Sequence, residues 1–300
     1  MEGMTGKTVQ EALPANARRE QLKRAIAVAG DIVLGKHEAI NLAFSCLLAR
    51  GHLLIEDLPG VGKTTLAHAL AAVTGTKYQR IQFTSDLLPA DILGVSIYRR
   101  DQEQFEFHPG PIFAELVLAD EVNRATPKTQ SALLEAMAEG QVTVEGETKA
   151  LPDSQLDRFL ISISLGFPDR EMERRLLTSE DRRLLLSKTE PVIHPRDILA
   201  LQEDCERLHV SDALLDYAQA LLAATRNSRW FETGLSPRAG IALLRCARSY
   251  AFVSGRDFVT PEDVKTIFPA LARHRMTVPQ GMEVTVEDQI ADMLRQVEIP

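Results

Sequence analysis

The sequence predicts an α/β domain with a parallel sheet, followed by an all-α domain. The first observation is that short apolar runs alternate with helical patterns as far as about residue 168. The second is that runs such as HLLIED and FAELVLADE are almost continuously apolar, which is typical of parallel strands buried on both faces. The third is that only helical patterns follow residue 170. We therefore expect an α/β domain over 1–170, a connecting helix over 171–192 and a helical domain over 193–300.

In the first half, strands and helices are expected to alternate after an opening pair of helices within 15–50. A helix is expected over 64–73, ended by Gly75, and another begins at Pro127. Two segments with alternating polarity and polar centres predict β-hairpins. The predicted strands are HLLIED, YQRIQF, FAELVLADE and FLISISLG, and the predicted hairpins are ILGVSIYRRDQEQFEFHPG and QVTVEGETKAL.

The second half is predicted to be helical throughout. Its apolar residues recur with a helical period, and Pro, Gly or Ser separates the segments. In one segment Ser236 is the expected N-cap and Pro237 the first helical residue. The predicted helices span 171–187, 196–208, 211–228, 236–254 and 261–274.

Composition disfavours several classes of protein. The 300-residue chain is 45% hydrophobic and 25% charged, and its net charge of −8 disfavours a general nucleic-acid-binding surface. No apolar run reaches the roughly 18 residues that span a bilayer, and the N-terminus lacks the apolar core of a signal peptide. The three cysteines lie far apart without C-x-x-C spacing, which predicts buried thiols in the reducing cytoplasm rather than a metal site.

The stretch EDLPGVGKTT, residues 56–65, predicts a phosphate-binding loop. The usual pattern is G-x-x-x-x-G-K-[ST], and Asp57 stands where the first glycine is expected. Backbone N–H groups of such a loop point at phosphate oxygens, Lys63 reaches the outer phosphates, and the Thr64 hydroxyl can bind Mg²⁺. The alternative is a chance G-K-T in a loop, which the strand before it and the helix after it disfavour. The residues expected to contact nucleotide are Pro59, Gly60, Val61, Gly62, Lys63, Thr64 and Thr65.

Two acids end the apolar run LVLADE. Asp120 at the tip of this strand is expected to hold Mg²⁺, usually through water, and Glu121 to polarise the water that attacks the γ-phosphate. The alternative is a pair of surface acids on a loop after a strand. Because the loop and the acids occur in order, about sixty residues apart on two predicted strands, nucleotide binding is favoured over chance.

Two arginines are further candidates. Arg158 precedes a predicted strand in SQLDRF, and Arg238 lies in the first turn of a predicted helix in LSPRAG. The helix macrodipole favours anions at that end, so a cation there is a local conflict that indicates function. A γ-phosphate nearby would resolve the conflict. The alternative for each arginine is an ordinary surface salt bridge, such as one between Arg158 and Asp157.

The chain resembles the MoxR family of AAA+ ATPases in EDLPGVGKTTLA, ADEVNRATPKTQSALLEAMAEGQVTV, LDRF and LSPRA. The resemblance extends from about residue 20 to residue 290. It implies a P-loop AAA+ core with a parallel sheet and a hairpin insert in helix 2 near 93–107, followed by an all-α lid domain. It also implies a hairpin at 141–150 that precedes the strand carrying the residue called sensor 1.

The resemblance also implies roles for individual residues. Carried over by position, Asp120 matches the magnesium-binding acid and Glu121 the catalytic acid. Arg158 matches the arginine finger that reaches the ATP of a neighbouring subunit, and Arg238 matches the lid arginine called sensor 2. The segment IVLG, residues 32–35, resembles the lining of the adenine pocket and contributes Val33 and Gly35 to the expected site.

Partners follow from the same resemblance. It implies ATP and Mg²⁺ as cofactors and a homo-oligomeric ring, expected to be a hexamer, with ATP at subunit interfaces. Family members act as chaperone-like motors on protein clients, and they commonly work with partners that carry a von Willebrand factor A domain. No membrane span is expected, and nucleic acid is a disfavoured partner.

One departure from the family pattern concerns the sensor 1 strand, which usually carries an Asn within ATQNP. In this chain GETKALP runs directly into DSQLDRF, so about two dozen expected residues have no counterpart. Either the natural chain lacks them or the sequence closes over an omitted segment. Without them the sheet is expected to lack the strand between the two motif strands, which leaves ATP binding possible and puts hydrolysis in doubt.

The resulting hypothesis is a MoxR-type ATPase that couples ATP hydrolysis to remodelling or maturation of protein clients. One alternative is a nucleotide-binding scaffold with weak hydrolysis, whose ring assembles around ATP without acting as a motor. Another is a motor subunit similar to that of magnesium chelatase. Turnover with Mg·ATP would separate the first two, and an assay with chelatase partners would test the third.

Overall fold

A computed structural model describes residues 13–139, 141–144, 147–150, 159–178, 182–227, 230–279 and 284–299. An α/β region with parallel strands precedes a helical region, which confirms the predicted fold class. No helix in these ranges is both long and apolar enough to cross a membrane.

The elements follow the predicted order closely. The helices are α1 (Ala15–Ile32), α2 (His37–Leu48), α3 (Lys63–Thr74), α4 (Pro89–Leu93), α5 (Pro127–Glu139), α6 (Arg170–Thr178), α7 (Arg182–Lys188), α8 (Pro195–Glu206), α9 (Asp212–Thr225), α10 (Pro237–Val253), α11 (Pro261–Ala272) and α12 (Val286–Gln296). The strands are β1 (His52–Ile55), β2 (Tyr78–Gln82), β3 (Gly94–Arg99), β4 (Gln104–Pro109), β5 (Leu116–Asp120), β6 (Gln141–Val144), β7 (Glu147–Ala150) and β8 (Phe159–Ile163).

The helix expected over 171–187 is described as α6 and α7, and residues 179–181 between them lie outside the described residues. Helix α12 was not predicted, although Thr285 and Asp288 form a capping box at its start that the sequence could have revealed. Both hairpins are present, as β3 with β4 and β6 with β7. The turn of the second hairpin lies outside the described residues.

The parallel strands form two separate pairs. Strand β1 pairs with β8, and β2 pairs with β5. Within the described ranges no strand lies between β1 and β5, as the departure from the family pattern predicted. Strand β7 ends at Ala150 and β8 begins at Phe159. Residues 151–158 between them lie outside the described residues.

The apolar interior is divided in the same way. The large core, as we call it, joins α1–α3, β1 and β8 to the helices α8–α12. The small core lies around β2, α4 and α5, and consists of Ile81, Phe83, Ile92, Ile112, Ala125, Leu133, Ala136 and Met137. The two motif strands therefore belong mainly to different cores, since Leu53 and Ile55 pack against the large core while Val117 and Ala119 pack against the small core.

Burial of the motif strands was predicted wrongly. The sequence favoured strands buried on both faces, but every residue of β1 and β5 is only partly buried. Strand β8 is buried at all positions after Phe159. The reason is local, because β1 and β5 each lack a described neighbour on one edge, and so lack the side chains that such a neighbour would place beside theirs.

The outer edge of β8 is covered by the segment that follows α11. Arg273 donates through Nε and Nη2 to the Ser162 carbonyl oxygen, at 3.0 and 2.7 Å. Arg275 Nη2 donates to the Phe159 carbonyl oxygen at 2.6 Å, and His274 Nε2 lies 3.2 Å from the same oxygen. These contacts satisfy backbone groups that an edge strand would otherwise expose, and they fasten β8 to the helical region.

Candidate nucleotide-binding site

The predicted phosphate loop lies between β1 and the N-terminus of α3. Gly60 and Gly62 have φ values of 87° and 102°, which L side chains rarely adopt. A β-carbon built on either glycine meets no atom within 4 Å, so open space adjoins the loop at both positions. The free N–H groups and positive dipole end of α3 suit this space to an anion. The expected contact residues 59–65 all lie on this loop and the first turn of α3.

Lys63 is the first residue of α3. Its Nζ donates to the backbone carbonyl of Asp57 at 2.7 Å, so the ammonium group lies across its own loop. The side chain is half-buried, and a flexible cation in this position can exchange the carbonyl for a phosphate oxygen. The loop geometry therefore fits the phosphates of a nucleotide.

Asp57, the departure from the usual motif, connects the loop to the end of β8. Its Oδ1 accepts from the Leu58 N–H at 2.8 Å. Its Oδ2 accepts from the N–H groups of Leu165 and Gly166, each at 2.6 Å, and from Ser164 Oγ at 3.0 Å. Burial alone would raise the pKa of Asp57, but these hydrogen bonds outweigh it and the pKa is lowered. A glycine could not make these bonds.

The two predicted acids lie at the end of β5, and residues of β2 hold both. Arg80 Nη2 lies 2.5 Å from Asp120 Oδ2. Glu121 Oε2 accepts from Gln82 Nε2 at 2.8 Å and from Arg124 Nη1 at 2.7 Å. Sequence reasoning missed these three partners. The alternating pattern of YQRIQF could have revealed two of them, because it places Arg80 and Gln82 on one face of a strand.

Glu121 has a left-handed backbone conformation, with φ 56° and ψ 41°. This is uncommon for a residue other than glycine and costs on the order of 1 kcal/mol. Hydrogen bonds hold the backbone on both sides of it, from the Phe83 N–H to the Asp120 carbonyl and from the Arg124 N–H to the Glu121 carbonyl, each at 2.9 Å. Strain maintained in this way is typical of functional positions.

A cleft of about 780 Å³ lies between the first turn of α3 and strand β2. It also borders α7, and its lining includes Thr64, His68, Tyr78 and Arg80. Burial, together with the positive charge of Arg80, lowers the pKa of His68. Thr64 thus lines the same cleft as Arg80, the arginine that binds Asp120.

The predicted adenine segment packs against the start of α6. Val33 is buried at the end of α1. Gly35 has a φ of 71°, and a β-carbon there would lie 2.8 Å from Cγ of Met172. Lys36 Nζ donates to the carbonyl of Phe167 at 2.9 Å. The segment is therefore held closely by the region that follows β8, the region that also supplies the partners of Asp57.

Of the two predicted arginines, Arg158 lies outside the described residues. Arg238 is exposed in the first turn of α10, directly after Ser236 and Pro237, and Ser236 Oγ accepts from the Ala239 N–H at 3.2 Å as a true N-cap. The cap was predicted correctly. The roles assigned to both arginines stay predictions.

The predicted site offers two oxygen ligands for Mg²⁺, and a bound nucleotide would supply further ones. Within the described residues no group of three or more His, Cys, Asp or Glu side chains could hold a metal ion. The hydroxyl of Thr64 and the carboxylate of Asp120 are oxygen donors of the kind that Mg²⁺ prefers, and Mg²⁺ commonly completes its shell with phosphate oxygens and water.

Comparisons with known proteins agree with this geometry. Residues 52–161 match the family described as ATPase family associated with various cellular activities (AAA), and residues 223–293 match the AAA lid domain. A crystal structure of a presumed ATPase from Cytophaga hutchinsonii ATCC 33406 superposes with a TM-score of 0.84 at 31% identity, covering 94% of this chain and 96% of that one.

Sequence relatives match along most of the chain. The uncharacterized protein YeaC of Bacillus subtilis (strain 168) is 38% identical, with 93% of this chain and 95% of YeaC covered. The chaperone MoxR1 of Mycobacterium tuberculosis (strain ATCC 25618 / H37Rv) is 35% identical, with 99% of this chain and 89% of MoxR1 covered. The protein MoxR of Paracoccus denitrificans is 29% identical, with 88% and 90% covered.

The match to YeaC also bears on the two strand pairs. It extends over 303 alignment positions, whereas 93% of the 300-residue chain is about 279 residues. About two dozen positions of the alignment are therefore residues of YeaC that have no counterpart in this chain. About two dozen residues are enough for one strand and its crossover.

Proposed function

This chain belongs to the MoxR family of AAA ATPases, and we propose that it binds Mg·ATP and couples its hydrolysis to chaperone-like remodelling of protein clients. The single observation that carries the proposal is the open turn at Gly60 and Gly62, with Lys63 lying across it and the N-terminus of α3 behind it. Convergence of Thr64 and the partner of Asp120 on one cleft supports the same conclusion.

In this proposal each residue has a chemical task. The backbone N–H groups of 60–64 and the Lys63 ammonium bind the phosphates, while Thr64 and Asp120 hold Mg²⁺, whose charge would offset that of the phosphates. Glu121 accepts a proton from the attacking water, and this requires its carboxylate to turn from Gln82 and Arg124 toward the γ-phosphate.

The proposal extends to assembly and partners. Arg158 acts as a finger on a neighbouring subunit's ATP and Arg238 as the lid arginine, so the working form is a homo-oligomeric ring, with a hexamer as the expected size. Val33 and Gly35 line the adenine pocket. The chaperone name of the relative MoxR1 supports a protein client. We further propose a cytoplasmic location, a partner with a von Willebrand factor A domain, and domains spanning 1–170 and 193–300 joined through 171–192.

A second candidate is a nucleotide-binding scaffold with weak hydrolysis. The observation that favours it is the separation of β1–β8 from β2–β5, because among the described residues no strand offers a polar sensor between them. Positioning of the attacking water is demanding, and small errors there lower rates on the order of 10²-fold. Phosphate binding does not depend on that strand.

Subunit mixing tests the proposal. Lys63→Ala removes the phosphate contact in a subunit's own site, and Arg158→Ala removes the finger that serves its neighbour, so each protein alone is expected to be inactive. Mixed rings contain interfaces in which both residues are intact, and steady-state turnover of Mg·ATP should partly return. A scaffold binds ATP and assembles, but its turnover stays at the level of a Glu121→Gln protein. Absence of recovery in rings shown to be mixed would contradict the assignment of Arg158.

A further inference from the structure

The face of β2 that points toward α3 carries a row of polar side chains. Strand β2 alternates, so Ile81 is buried in the small core while Tyr78, Arg80 and Gln82 lie on the opposite face. Parallel pairing places Gln82 opposite Asp120 in the register. The row therefore runs alongside the acid end of β5.

One nitrogen of Arg80 contacts both Asp120 and Gln82, the residue that binds Glu121. Arg80 Nη2 donates to Asp120 Oδ2 at 2.5 Å and to Gln82 Oε1 at 2.9 Å. With its carbonyl oxygen engaged in this way, the Gln82 amide presents its N–H to Glu121 Oε2 at 2.8 Å. The Arg80 guanidinium is thus bound to the carboxylate of Asp120, which in the proposed function is a ligand of the divalent cation.

We propose that Arg80 is a positioning residue that competes with the divalent cation for Asp120, an inference that rests on the proposed function. The charge-assisted hydrogen bond from Arg80 occupies a lone pair of Asp120 Oδ2 and offsets the carboxylate charge, so it weakens coordination of a cation by Asp120. If the cation binds through water instead, the nearby guanidinium still repels it. The Arg80 guanidinium therefore stays bound to Asp120 until Mg·ATP displaces the guanidinium. This competition raises the cation concentration needed to occupy the site.

A purely structural role does not fit the exposure of the pair. The side chains of Arg80 and Asp120 are 45% and 23% exposed. Ion pairs this accessible add little to the stability of a fold because water screens them and their side chains lose conformational freedom. The same accessibility allows the pair to open without disturbing either core.

The experiment is a titration with Mn²⁺ in the absence of nucleotide, with free Mn²⁺ measured by electron paramagnetic resonance. Arg80→Met keeps the aliphatic stem and removes the charge, and we expect it to bind Mn²⁺ at least threefold more tightly than the wild type. Arg80→Lys keeps the charge and should stay close to the wild type. The double variant Arg80→Met/Asp120→Asn should lose the gain.

The matched control is Arg99→Met. Arg99 Nε lies 2.6 Å from Glu106 Oε2, and both side chains are 47% exposed, so this is a similar ion pair at another place, the hairpin of β3 and β4. Its substitution should leave Mn²⁺ affinity unchanged. Arg80→Gln repeats the main test if the methionine variant does not fold. Equal Mn²⁺ affinity in the wild type and the neutral Arg80 variants, or a gain that survives Asp120→Asn, would overturn the proposal.

A second arm separates this inference from the proposed function. Binding of a fluorescent ATP analogue is followed at fixed nucleotide while Mg²⁺ is raised, and the midpoint should fall at least threefold in Arg80→Met. If the wild type binds no nucleotide under any condition, the proposed function fails, and the Mn²⁺ titration still decides the competition between Arg80 and the cation. An unchanged or higher Mg²⁺ midpoint in a variant that binds nucleotide normally contradicts the competition.

Discussion

The two strand pairs of the α/β region differ in how they are held. Strand β8 is buried, its outer edge is bound by Arg273 and Arg275, and together with β1 it joins the large core that reaches the last helices. The pair β2–β5 rests on the small core, and most of β2 is exposed. The phosphate loop follows the first pair, and the acids end the second.

In the proposed function, nucleotide binding and hydrolysis therefore depend on different parts of the molecule. The loop is fixed through Asp57 to the end of β8 and needs nothing from β5. Glu121 is positioned by Gln82 and Arg124, and within the described residues no strand couples β5 to β1. Substitutions in the two pairs should therefore separate nucleotide affinity from turnover.

The largest expected effect is on the acid side. Glu121→Gln keeps the shape and an acceptor for Gln82 and Arg124 but removes the base, so turnover should fall on the order of 10²-fold or more while ATP affinity stays within about twofold. Turnover is measured by phosphate release and affinity by calorimetry. Glu135→Gln, an exposed residue of α5, is the control. Wild-type turnover in Glu121→Gln would remove the catalytic assignment.

A smaller effect is expected on the loop side. Lys63→Ala removes a charge-assisted contact with phosphate and should weaken Mg·ATP binding by about 1.5–3 kcal/mol. Lys23→Ala is the control, because Lys23 is exposed and pairs with Glu20 on α1. Equal affinity of wild type and Lys63→Ala by calorimetry would show that the loop does not hold the nucleotide as proposed.

The sequence predicted the loop, the order of elements and the starts of helices well, because these depend on local signals such as Gly62, Pro127 and the cap at Ser236. It did not reveal what Asp57 does, because the partners of Asp57 lie about a hundred residues away at the end of β8. It also overstated the burial of β1 and β5. Burial of a strand depends on its neighbours in the sheet, and an apolar run alone does not show whether those neighbours exist.

The smallest expected effect concerns the contacts of residues 273–275 with β8, and it depends on pH. Burial lowers the pKa of His274 to about 4 from its ordinary 6.5, helped by the charge of Arg275. The unfolded chain protonates this histidine near pH 6.5, whereas the folded protein does so only near pH 4. The folded state is therefore favoured above about pH 6.5 and loses stability as the pH falls toward 4. Because His274 is only partly buried and water screens its charge, His274→Gln should remove on the order of 1 kcal/mol of this pH-dependent change.

Urea denaturation at pH 7.5 and pH 4.5 measures that change. His194→Gln, at an exposed histidine that precedes α8, serves as the control and should keep the wild-type difference between the two pH values. ATP affinity at pH 7.5 should be the same in all three proteins. If His274→Gln keeps the full wild-type loss of stability on acidification, the buried neutral histidine is not its source.

Restoring a strand between the two pairs tests most directly whether their separation limits catalysis. A segment of about two dozen residues, long enough for a strand and its crossover and carrying ATQNP, is inserted between residues 150 and 153. We expect the chain as it stands to bind ATP but hydrolyse it slowly, and the restored chain to hydrolyse it on the order of 10²-fold faster and to melt at a higher temperature, with similar ATP affinity. Equal turnover and equal melting temperature in the two proteins would contradict the claim that the separated strand pairs limit catalysis.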